Sequence, residues 1–195
     1  MRSDEVRPGS VGRPLGGVEV RLVDEFTGHL EGDDPGEIQV RGPNLFSGYW
    51  PDGADGPDED GWWLTGDVGY RDPDGDLYLV DRVRDMVVVS GFNVYPSEVE
   101  DVITEVEGVT GAAVIGVEDE NLLTKPWAYI VLKDGGLGSD ALADELKAHV
   151  KSLLMPHKYP RRIVFVAELP KTATGKIQRF KLRERAAEEQ GARAA

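Results

Sequence analysis

Three separated segments of the chain hold side chains whose types and spacing could do chemistry. The first is GWWLTGD (61–67), in which Asp67 follows a Thr-Gly pair. A carboxylate has two oxygens that can accept two hydroxyl protons, so Asp67 could hold a vicinal diol such as that of a ribose. The alternative interpretation is that Thr-Gly-Asp forms only a turn after two aromatic residues.

The second segment is LPKTATGKIQRFKLR (169–183), which places Lys176 directly after a glycine in a Thr/Ala/Gly loop. A lysine on a mobile loop can bring a compact positive charge to a phosphate or a carboxylate. The segment is not a Walker A phosphate loop, because Pro170 stands where its first glycine is needed and Ile177 where a Ser or Thr is needed. The alternative is that Lys176 is a solvated surface lysine.

The third segment is DRVRDMVVVSGFNVYPSEVE (81–100). It combines a charged stretch, a short apolar strand, a Ser-Gly bend and the start of a helix. Gly91 would supply a bend that bulkier residues resist. Taken alone, this segment predicts local structure and no chemistry.

The elements that must position these segments differ along the chain. Apolar and charged residues alternate over 18–22 and in GEIQVRG (36–42), as in half-buried strands. PDGADGPDED (51–60) is a polar loop rich in Gly and Pro, and RDPDGDLYLV (71–80) predicts an Asp-Pro-Asp-Gly turn that enters a strand. The first part of the chain is therefore predicted to be β-rich.

The second part of the chain alternates strands and helices. The apolar runs predict strands at MVVV (86–89), AAVIGV (112–117), WAYIVL (127–132) and IVFV (163–166). The segment RFKLRERAAEEQ (179–190) predicts a polar helix that closes the chain. The order β-α-β-β-α-β-α indicates an α+β layer with helices packed against a small sheet.

Two further helices are predicted from caps and periodicity. Ser97, with Glu100 three residues later, predicts a capping box at the start of the first helix. The apolar face of that helix consists of Val99, Val102, Ile103 and Val106. Ser139 predicts the cap of the second helix. The buried side of that helix is predicted to hold Leu142, Leu146, Val150, Leu153 and Leu154.

Composition excludes several classes of function. The chain has 195 residues, enough for one or two small domains, and a net charge of −14 that argues against a nucleic-acid binder. It contains no cysteine, which excludes disulfides, thiolate metal sites and cysteine nucleophiles. No apolar run approaches the roughly 20 residues of a membrane span and no secretory signal opens the chain, so we expect a cytoplasmic protein without a membrane span.

One stretch of the sequence reverses the acidic balance. Residues 156–185 hold nine Lys and Arg against two Glu. Such a stretch forms a solvated face in many proteins, and the more specific interpretation is that it meets an anionic ligand.

Taken together and in their order along the chain, 61–67, then 81–100, then 169–183, the three segments resemble the C-terminal motifs of the adenylate-forming (ANL) superfamily. That superfamily includes acyl-CoA synthetases, peptide synthetase adenylation domains and luciferases. The resemblance implies that residues 1–83 are the β-rich end of a truncated AMP-binding domain and that residues 84–188 are a mobile α+β C-terminal domain. We expect residues 189–195 to form a frayed tail.

The resemblance also implies roles for single residues in nucleotide binding and in motion. Asp67 matches the aspartate that holds the ribose hydroxyls of the nucleotide. Arg82 matches a basic residue that also approaches the ribose. Arg84 stands at the hinge position, where the superfamily usually has Asp or Lys. The departure is mild, because a pivot needs free backbone dihedral angles and no particular side-chain chemistry.

Two loops are implied to alternate in the site. Lys176 matches the lysine essential for adenylation, in which a carboxylate attacks the α-phosphorus of ATP and pyrophosphate leaves. Ser90, Gly91 and Phe92 match the loop that lines the CoA pantetheine tunnel once the small domain has rotated. CoA then attacks the acyl adenylate and AMP leaves. The resemblance thus implies ATP, CoA and a carboxylate as substrates, with Mg²⁺ accompanying ATP.

A large part of the family pattern is not found in the sequence. No Ser/Thr/Gly-rich phosphate loop of the YTSGTTGxPKG kind and no YGxTE-like segment occurs. We therefore expect a C-terminal fragment of an acyl-CoA synthetase, inactive without an N-terminal half that would hold Mg²⁺ and the acyl group. The alternatives are a non-catalytic regulatory module that binds a paralogue, or an adenylation region that feeds a carrier protein. The tail resembles benzoate-type CoA ligases and the hinge region fatty acyl-CoA ligases, so the carboxylate stays open.

Overall fold

The computed structural model describes residues 7–24, 28–30, 34–51, 53–119, 121–133, 135 and 138–194. The chain divides into two compact units, Met1–Arg84 and Asp85–Ala195, which we call the N-terminal and C-terminal units. The division lies one residue after the boundary expected from the sequence. None of the helices in the described ranges is both long and apolar enough to cross a membrane.

The N-terminal unit is built on one antiparallel sheet. Its six strands are β1 (Ser10–Gly12), β2 (Glu19–Asp24), β3 (Gly28–His29), β4 (Gly36–Arg41), β5 (Trp63–Arg71) and β6 (Leu77–Arg82). They lie in the order β1-β6-β5-β4-β2-β3. The β-rich character predicted for this part of the chain is confirmed.

The core of the N-terminal unit is small. Leu22, Ile38 and Leu77 form a buried cluster, and the partly buried Val20, Leu30 and Val40 pack against it. Leu22 of β2 pairs in register with Ile38 of β4, as expected from the alternating pattern of both segments. Successive side chains of a strand point to opposite faces of the sheet. Since apolar and polar residues alternate along these strands, the apolar side chains collect on one face.

The predicted turn between β5 and β6 is present and carries its own hydrogen bonds. The Gly75 N–H donates to the Asp72 carbonyl at 2.9 Å. One oxygen of the Asp72 carboxylate accepts from the N–H groups of Asp74 and Asp76 at 3.0 and 2.8 Å. Asp at the first position of a turn acts in this way, because its side chain can accept from the backbone two residues on.

The C-terminal unit mixes strands and helices. Its elements are β7 (Val87–Val89), β8 (Phe92–Val94), α1 (Pro96–Thr104), β9 (Val109–Glu118), β10 (Thr124–Leu132), α2 (Asp140–Leu153), β11 (Arg162–Phe165) and α3 (Arg179–Ala194). β7 and β8 form a hairpin. β10 pairs antiparallel with β9 and parallel with β11, so α2 is the crossover between two parallel strands. The predicted α+β fold class is confirmed.

The three-stranded sheet of the C-terminal unit is covered on both faces. Alternate residues of β9 and β10 face α1, α2 and the hairpin, in a cluster that contains Val99, Ile103, Leu146 and Val150. The intervening residues face α3, in a second cluster that contains Leu182 and Ala186. Burial of both faces explains why β9 and β10 are continuous apolar runs in the sequence.

The predicted start of α1 is wrong. The helix begins at Pro96, with Tyr95 as N-cap, so Ser97 lies within the first turn. Proline favours the first helical position because its φ is already helical and its missing N–H would have no partner there. One Glu100 carboxylate oxygen accepts a hydrogen bond from the Val114 N–H in β9 at 2.7 Å.

The predictions for α2 are confirmed except at one residue. Ser139 is the N-cap, and its hydroxyl accepts from the Leu142 N–H at 3.2 Å. Leu146 and Val150 are fully buried, whereas Leu153, which we expected on the same face, is 55% exposed. Leu153 is the last residue of the helix, and the next residue, Leu154, packs against the core instead.

The last helix is longer than expected. α3 includes residues 189–194, which we expected to form part of a frayed tail. Glu189 forms ion pairs with Arg162 of β11 and Arg185 of α3, at 2.8 and 3.1 Å. The Gln190 amide donates to the Glu118 carbonyl at 2.8 Å. These contacts with the sheet hold the helix beyond residue 188.

Candidate functional site

Asp67 and Arg82 lie side by side in the N-terminal unit. Asp67 belongs to β5 and is the register partner of Arg82, the last residue of β6. The Arg82 Nε lies 3.2 Å from one Asp67 carboxylate oxygen, and the two side chains are 49% and 35% exposed. The carboxylate therefore has one cationic neighbour and remains accessible to hydroxyl donors.

The Thr-Gly-Asp sequence lies at an irregularity of the sheet, where the register between β4 and β5 shifts. The Thr65 hydroxyl donates to the Ile38 carbonyl at 2.9 Å and accepts from the Asp67 N–H at 3.1 Å. The Gly66 N–H donates to a Glu37 carboxylate oxygen at 3.1 Å. Bulges of this kind redirect a side chain, and here the backbone on both sides of Asp67 is fixed by hydrogen bonds.

Ser90 and Gly91 form the two-residue turn of the β7–β8 hairpin. The strands pair up to Val89 and Phe92, and the two turn residues have φ angles of +53° and +84°. Two consecutive positive φ angles are typical of a type I′ turn, which matches the twist of the strands it joins. The turn residues are exposed, so the hairpin presents its tip to solvent.

Phe92 extends the exposed tip of the hairpin with an aromatic ring. The ring is 57% exposed. It stacks on the His157 imidazole, with ring centroids 4.6 Å apart and an interplanar angle of 19°. His157 was not predicted as a site residue, and no local signal could have found it, because the contact joins segments that are distant in sequence.

Lys176 lies in a turn closed by Thr172. The Thr172 N–H donates to the Lys176 carbonyl at 2.8 Å, and the Lys176 N–H donates to the Thr172 hydroxyl at 3.1 Å. The Gly175 N–H donates to the Thr172 carbonyl at 2.9 Å, and Lys171 pairs with Ile177 in a β-bridge. The predicted loop is thus a hydrogen-bonded turn that fixes the backbone of Lys176.

The side chain of Lys176 is exposed. Within the part of the chain that the structure describes, no ion-pair partner contacts its ammonium group. The nearby arginines are paired, Arg179 with Glu100 and Arg183 with Asp85. A fixed backbone and an unpaired ammonium leave Lys176 available to an external anion.

Arg84 is the last residue of the N-terminal unit. It lies in a single-turn 3₁₀ helix, Val83–Asp85, and its side chain is exposed. Its guanidinium has no ion-pair partner among the described residues. Asp85, the next residue, is held by Arg183 of α3 at 3.2 Å. Arg84 therefore directly precedes a residue that is anchored to α3.

The predicted site residues thus fall into two groups. Asp67, Arg82 and Arg84 belong to the N-terminal unit, and Ser90–Phe92 and Lys176 occupy two separate turns of the C-terminal unit. No group of three His, Asp or Glu within the described ranges could hold a metal ion. The arrangement offers a carboxylate for hydroxyl groups, an exposed aromatic hairpin and a free cation.

Two family models match the chain. Residues 1–50 match the AMP-binding enzyme model, and residues 98–176 match the AMP-binding enzyme C-terminal domain model. Lys176 is the last residue of the second match. These matches confirm the resemblance inferred from the three segments.

Individual relatives are similar over nearly the whole chain. A benzoate–CoA ligase from Thauera aromatica is 45% identical over 185 residues, which are 93% of this chain and 35% of that protein. A long-chain-fatty-acid–CoA ligase from Salmonella typhimurium is 41% identical over 180 residues, which are 91% of this chain and 31% of that protein. Relatives of both kinds that the sequence suggested are therefore found.

A solved structure shares the fold. The crystal structure of ATP-bound MatB from Rhodopseudomonas palustris superposes with a TM-score of 0.83 at 36% sequence identity, covering 93% of this chain and 36% of that one. The chain accordingly spans about a third of the length of the relatives that it matches.

Proposed function

We infer that this chain, which belongs to the AMP-binding enzyme family and corresponds to its C-terminal portion, is part of an ATP-dependent carboxylate–CoA ligase. The proposed reaction converts a carboxylate, ATP and CoA to acyl-CoA, AMP and pyrophosphate. The observation that carries the proposal is the setting of Lys176. Its backbone is fixed by Thr172, while its exposed ammonium has no ion-pair partner in the described part of the chain.

In the proposed first half-reaction, a carboxylate oxygen attacks the α-phosphorus of ATP. The new oxygen–phosphorus bond gives an acyl adenylate, and the bond to pyrophosphate breaks. Two anions must approach each other, so a positioned cation lowers the barrier, and we assign that role to Lys176. Asp67 accepts hydrogen bonds from the ribose hydroxyls, and Arg82 orients its carboxylate from 3.2 Å away.

In the proposed second half-reaction, the CoA sulfur attacks the acyl carbon and AMP leaves. Rotation of the C-terminal unit about Arg84 exchanges the Lys176 turn for the hairpin tip of Ser90, Gly91 and Phe92. The exposed Phe92 ring, stacked on His157, offers an apolar surface for the pantetheine arm. Successive ligands select between the two positions because each binds one of them better.

The remaining parts of the site would lie on an upstream polypeptide. Neither a phosphate loop nor a group of three metal ligands occurs among the residues described here, so Mg²⁺ and the β- and γ-phosphates are assigned to the upstream portion of the ligase or to a paralogue. The acyl group is assigned there as well. Benzoate and long-chain fatty acids are the carboxylates to test first, since ligases named for both are similar to this chain.

The test uses a chimera in which this chain replaces the matching C-terminal third of the Thauera aromatica benzoate–CoA ligase. Each half-reaction is measured separately: pyrophosphate release from ATP and benzoate, then acyl-CoA formation from supplied benzoyl adenylate and CoA. We expect Lys176→Ala to slow the first by about 10²-fold or more, the usual scale for one lost transition-state stabiliser. The second should change little.

The matched control is Lys171→Ala. Lys171 is an exposed lysine of the same turn and pairs with Ile177 only through the backbone bridge. We expect this variant to retain both half-reactions, and the 195-residue chain alone to release no pyrophosphate above background. An unchanged first half-reaction in Lys176→Ala, or equal losses in both steps, would contradict the assignment.

A further inference from the structure

A half-buried ion-pair network lies directly after the Lys176 turn. Arg179 is the first residue of α3 and follows Lys176 by three positions. Its Nη2 donates to both carboxylate oxygens of Glu100, at 2.7 and 2.9 Å. The two side chains are only 15% and 13% exposed. Ion pairs on the protein surface are more exposed than this one, and they contribute little to the free energy of folding.

Glu100 is fixed in turn to the central sheet of the C-terminal unit. One of its carboxylate oxygens also accepts from the Val114 N–H of β9 at 2.7 Å. The carboxylate thus receives hydrogen bonds from a strand and from an arginine that lies 79 positions further along the chain. Charge-assisted bonds to a guanidinium are directional because its N–H groups have a fixed geometry.

The network continues to the first residue of the C-terminal unit. One Asp85 carboxylate oxygen lies 4.0 Å from the Arg179 Nη1, and the other lies 3.2 Å from the Arg183 Nη2. Asp85 directly follows Arg84, at which the two units divide. The residue after the proposed pivot and the residue that starts α3 after the Lys176 turn therefore share one set of ion pairs.

Such a network is better suited to fixing geometry than to adding stability. Enclosed ion pairs lose much of their Coulombic gain to desolvation, so apolar residues of similar size could stabilise the fold as well. The Arg179 Nε is buried and has no hydrogen-bond partner in the described part of the chain, an additional cost. What ion pairs provide and apolar contacts do not is a directional connection between Asp85, Glu100 and the start of α3.

We propose that Arg179 and Glu100 are positioning residues that make the Lys176 turn and the start of the C-terminal unit at Asp85 move as one body. Rotation about Arg84 then delivers the Lys176 ammonium to the nucleotide with a fixed geometry. The inference rests on the proposed function, because it gives the network a purpose only if Lys176 acts in adenylation. Small displacements of a catalytic group can cost about 10²-fold in rate, which is why a rigid connection matters.

The experiment uses the same chimera and both half-reactions. We expect Arg179→Gln and Glu100→Gln each to slow adenylation by about tenfold or more, within the range that misplacement produces. Thioester formation from supplied benzoyl adenylate should stay within about threefold. The double variant should be no slower than the slower single variant, because residues of one network are not additive. Lys147→Gln, which removes a surface pair with Asp144 on α2, is the control that should change neither step.

A second measurement does not depend on activity. In the 195-residue chain, the Lys176 N–H donates to the Thr172 hydroxyl, so its hydrogen exchange reports the order of the turn. We expect Arg179→Gln to speed exchange at Lys176 while leaving exchange at the buried core residue Tyr129 unchanged. Arg179→Lys keeps the charge without the guanidinium geometry, so it should fold and show an intermediate effect on exchange and adenylation.

The outcomes distinguish the inference from the proposed function. If Lys176→Ala loses adenylation and Arg179→Gln keeps it, the positioning role is overturned and the proposed function stands. If Lys176→Ala keeps adenylation, the proposed function falls and the positioning role falls with it. Equal losses in both half-reactions of Arg179→Gln, with faster exchange at Tyr129 as well, would mean a general loss of stability and would also overturn the positioning role.

Discussion

Substitution of Gly91 tests the energetic effect of its backbone φ angle without a change in side-chain packing. Its φ is +84°, and a Cβ placed there would meet no heavy atom within 4 Å. We expect Gly91→Ala to lower the free energy of unfolding of the C-terminal unit by about 1–2 kcal/mol, because a left-handed conformation is costly for any residue with a Cβ. Hydrogen exchange at the buried core residues Val114 and Tyr129 measures that free energy.

The neighbouring residue supplies the matched control. Ser90 also has a positive φ, +53°, although it is not glycine. Asn tolerates this region better than Ser does, and Asn-Gly is a preferred pair for a type I′ turn. We therefore expect Ser90→Asn to leave the stability unchanged or to raise it. A loss of stability in Ser90→Asn without one in Gly91→Ala would contradict the assigned turn geometry.

The candidate site divides into residues that the sequence could identify and residues that it could not. Asp67 and Lys176 are predicted from the sequence because each stands in a short motif whose spacing is local. Glu100 was predicted only as part of a helix cap, and its contacts with Val114 and Arg179, 14 and 79 positions away, have no local signal. The contact of His157 with Phe92 likewise exists only after folding. The spacing of residues within a short motif cannot predict contacts with residues that are distant in sequence.

At the scale of one element, helix α2 carries a buried leucine and an exposed leucine, so the effect of burial on stability can be compared within one helix. Leu146 is fully buried, whereas Leu153 is 55% exposed. We expect Leu146→Ala to lower the free energy of unfolding by about 2–5 kcal/mol, through lost apolar burial and the cavity left behind. Leu153→Ala, the control, should cost less than about 1 kcal/mol, as for most exposed positions. Similar losses for both variants, measured by denaturant unfolding, would contradict the burial assigned to α2.

The same helix shows what periodicity can and cannot predict. The Ser139 cap and the buried face over Leu146 and Val150 followed from local spacing, because cap and face are properties of the helix itself. Exposure of Leu153 depends on how the chain leaves the helix, since Leu154 packs against the core instead, and spacing does not encode this. The start of α1 was missed for another reason, since Pro96 fixes the first helical position and competes with the cap predicted at Ser97.

At the scale of the whole molecule, the two units differ in how much apolar surface they bury. Among the described residues, the C-terminal unit has two clusters of eleven and nine buried hydrophobic residues. The N-terminal unit has one cluster of three. Since hydrophobic burial is the main favourable term in folding, the C-terminal unit should open less often than the N-terminal one.

Brief digestion with proteinase K tests this difference together with the division at Arg84. We expect the first cuts near residues 82–86 or in the 51–60 loop, because a protease needs exposed backbone that can leave its local structure without unpacking a core. The fragment that begins near Asp85 should then outlast the N-terminal fragment. In the Leu146→Ala variant the difference in lifetime between the two fragments should be smaller, since the variant weakens only the core of the C-terminal unit. First cuts within α1 or α2, identified by mass spectrometry, would contradict both the exposed linker and the stability assigned to the C-terminal unit.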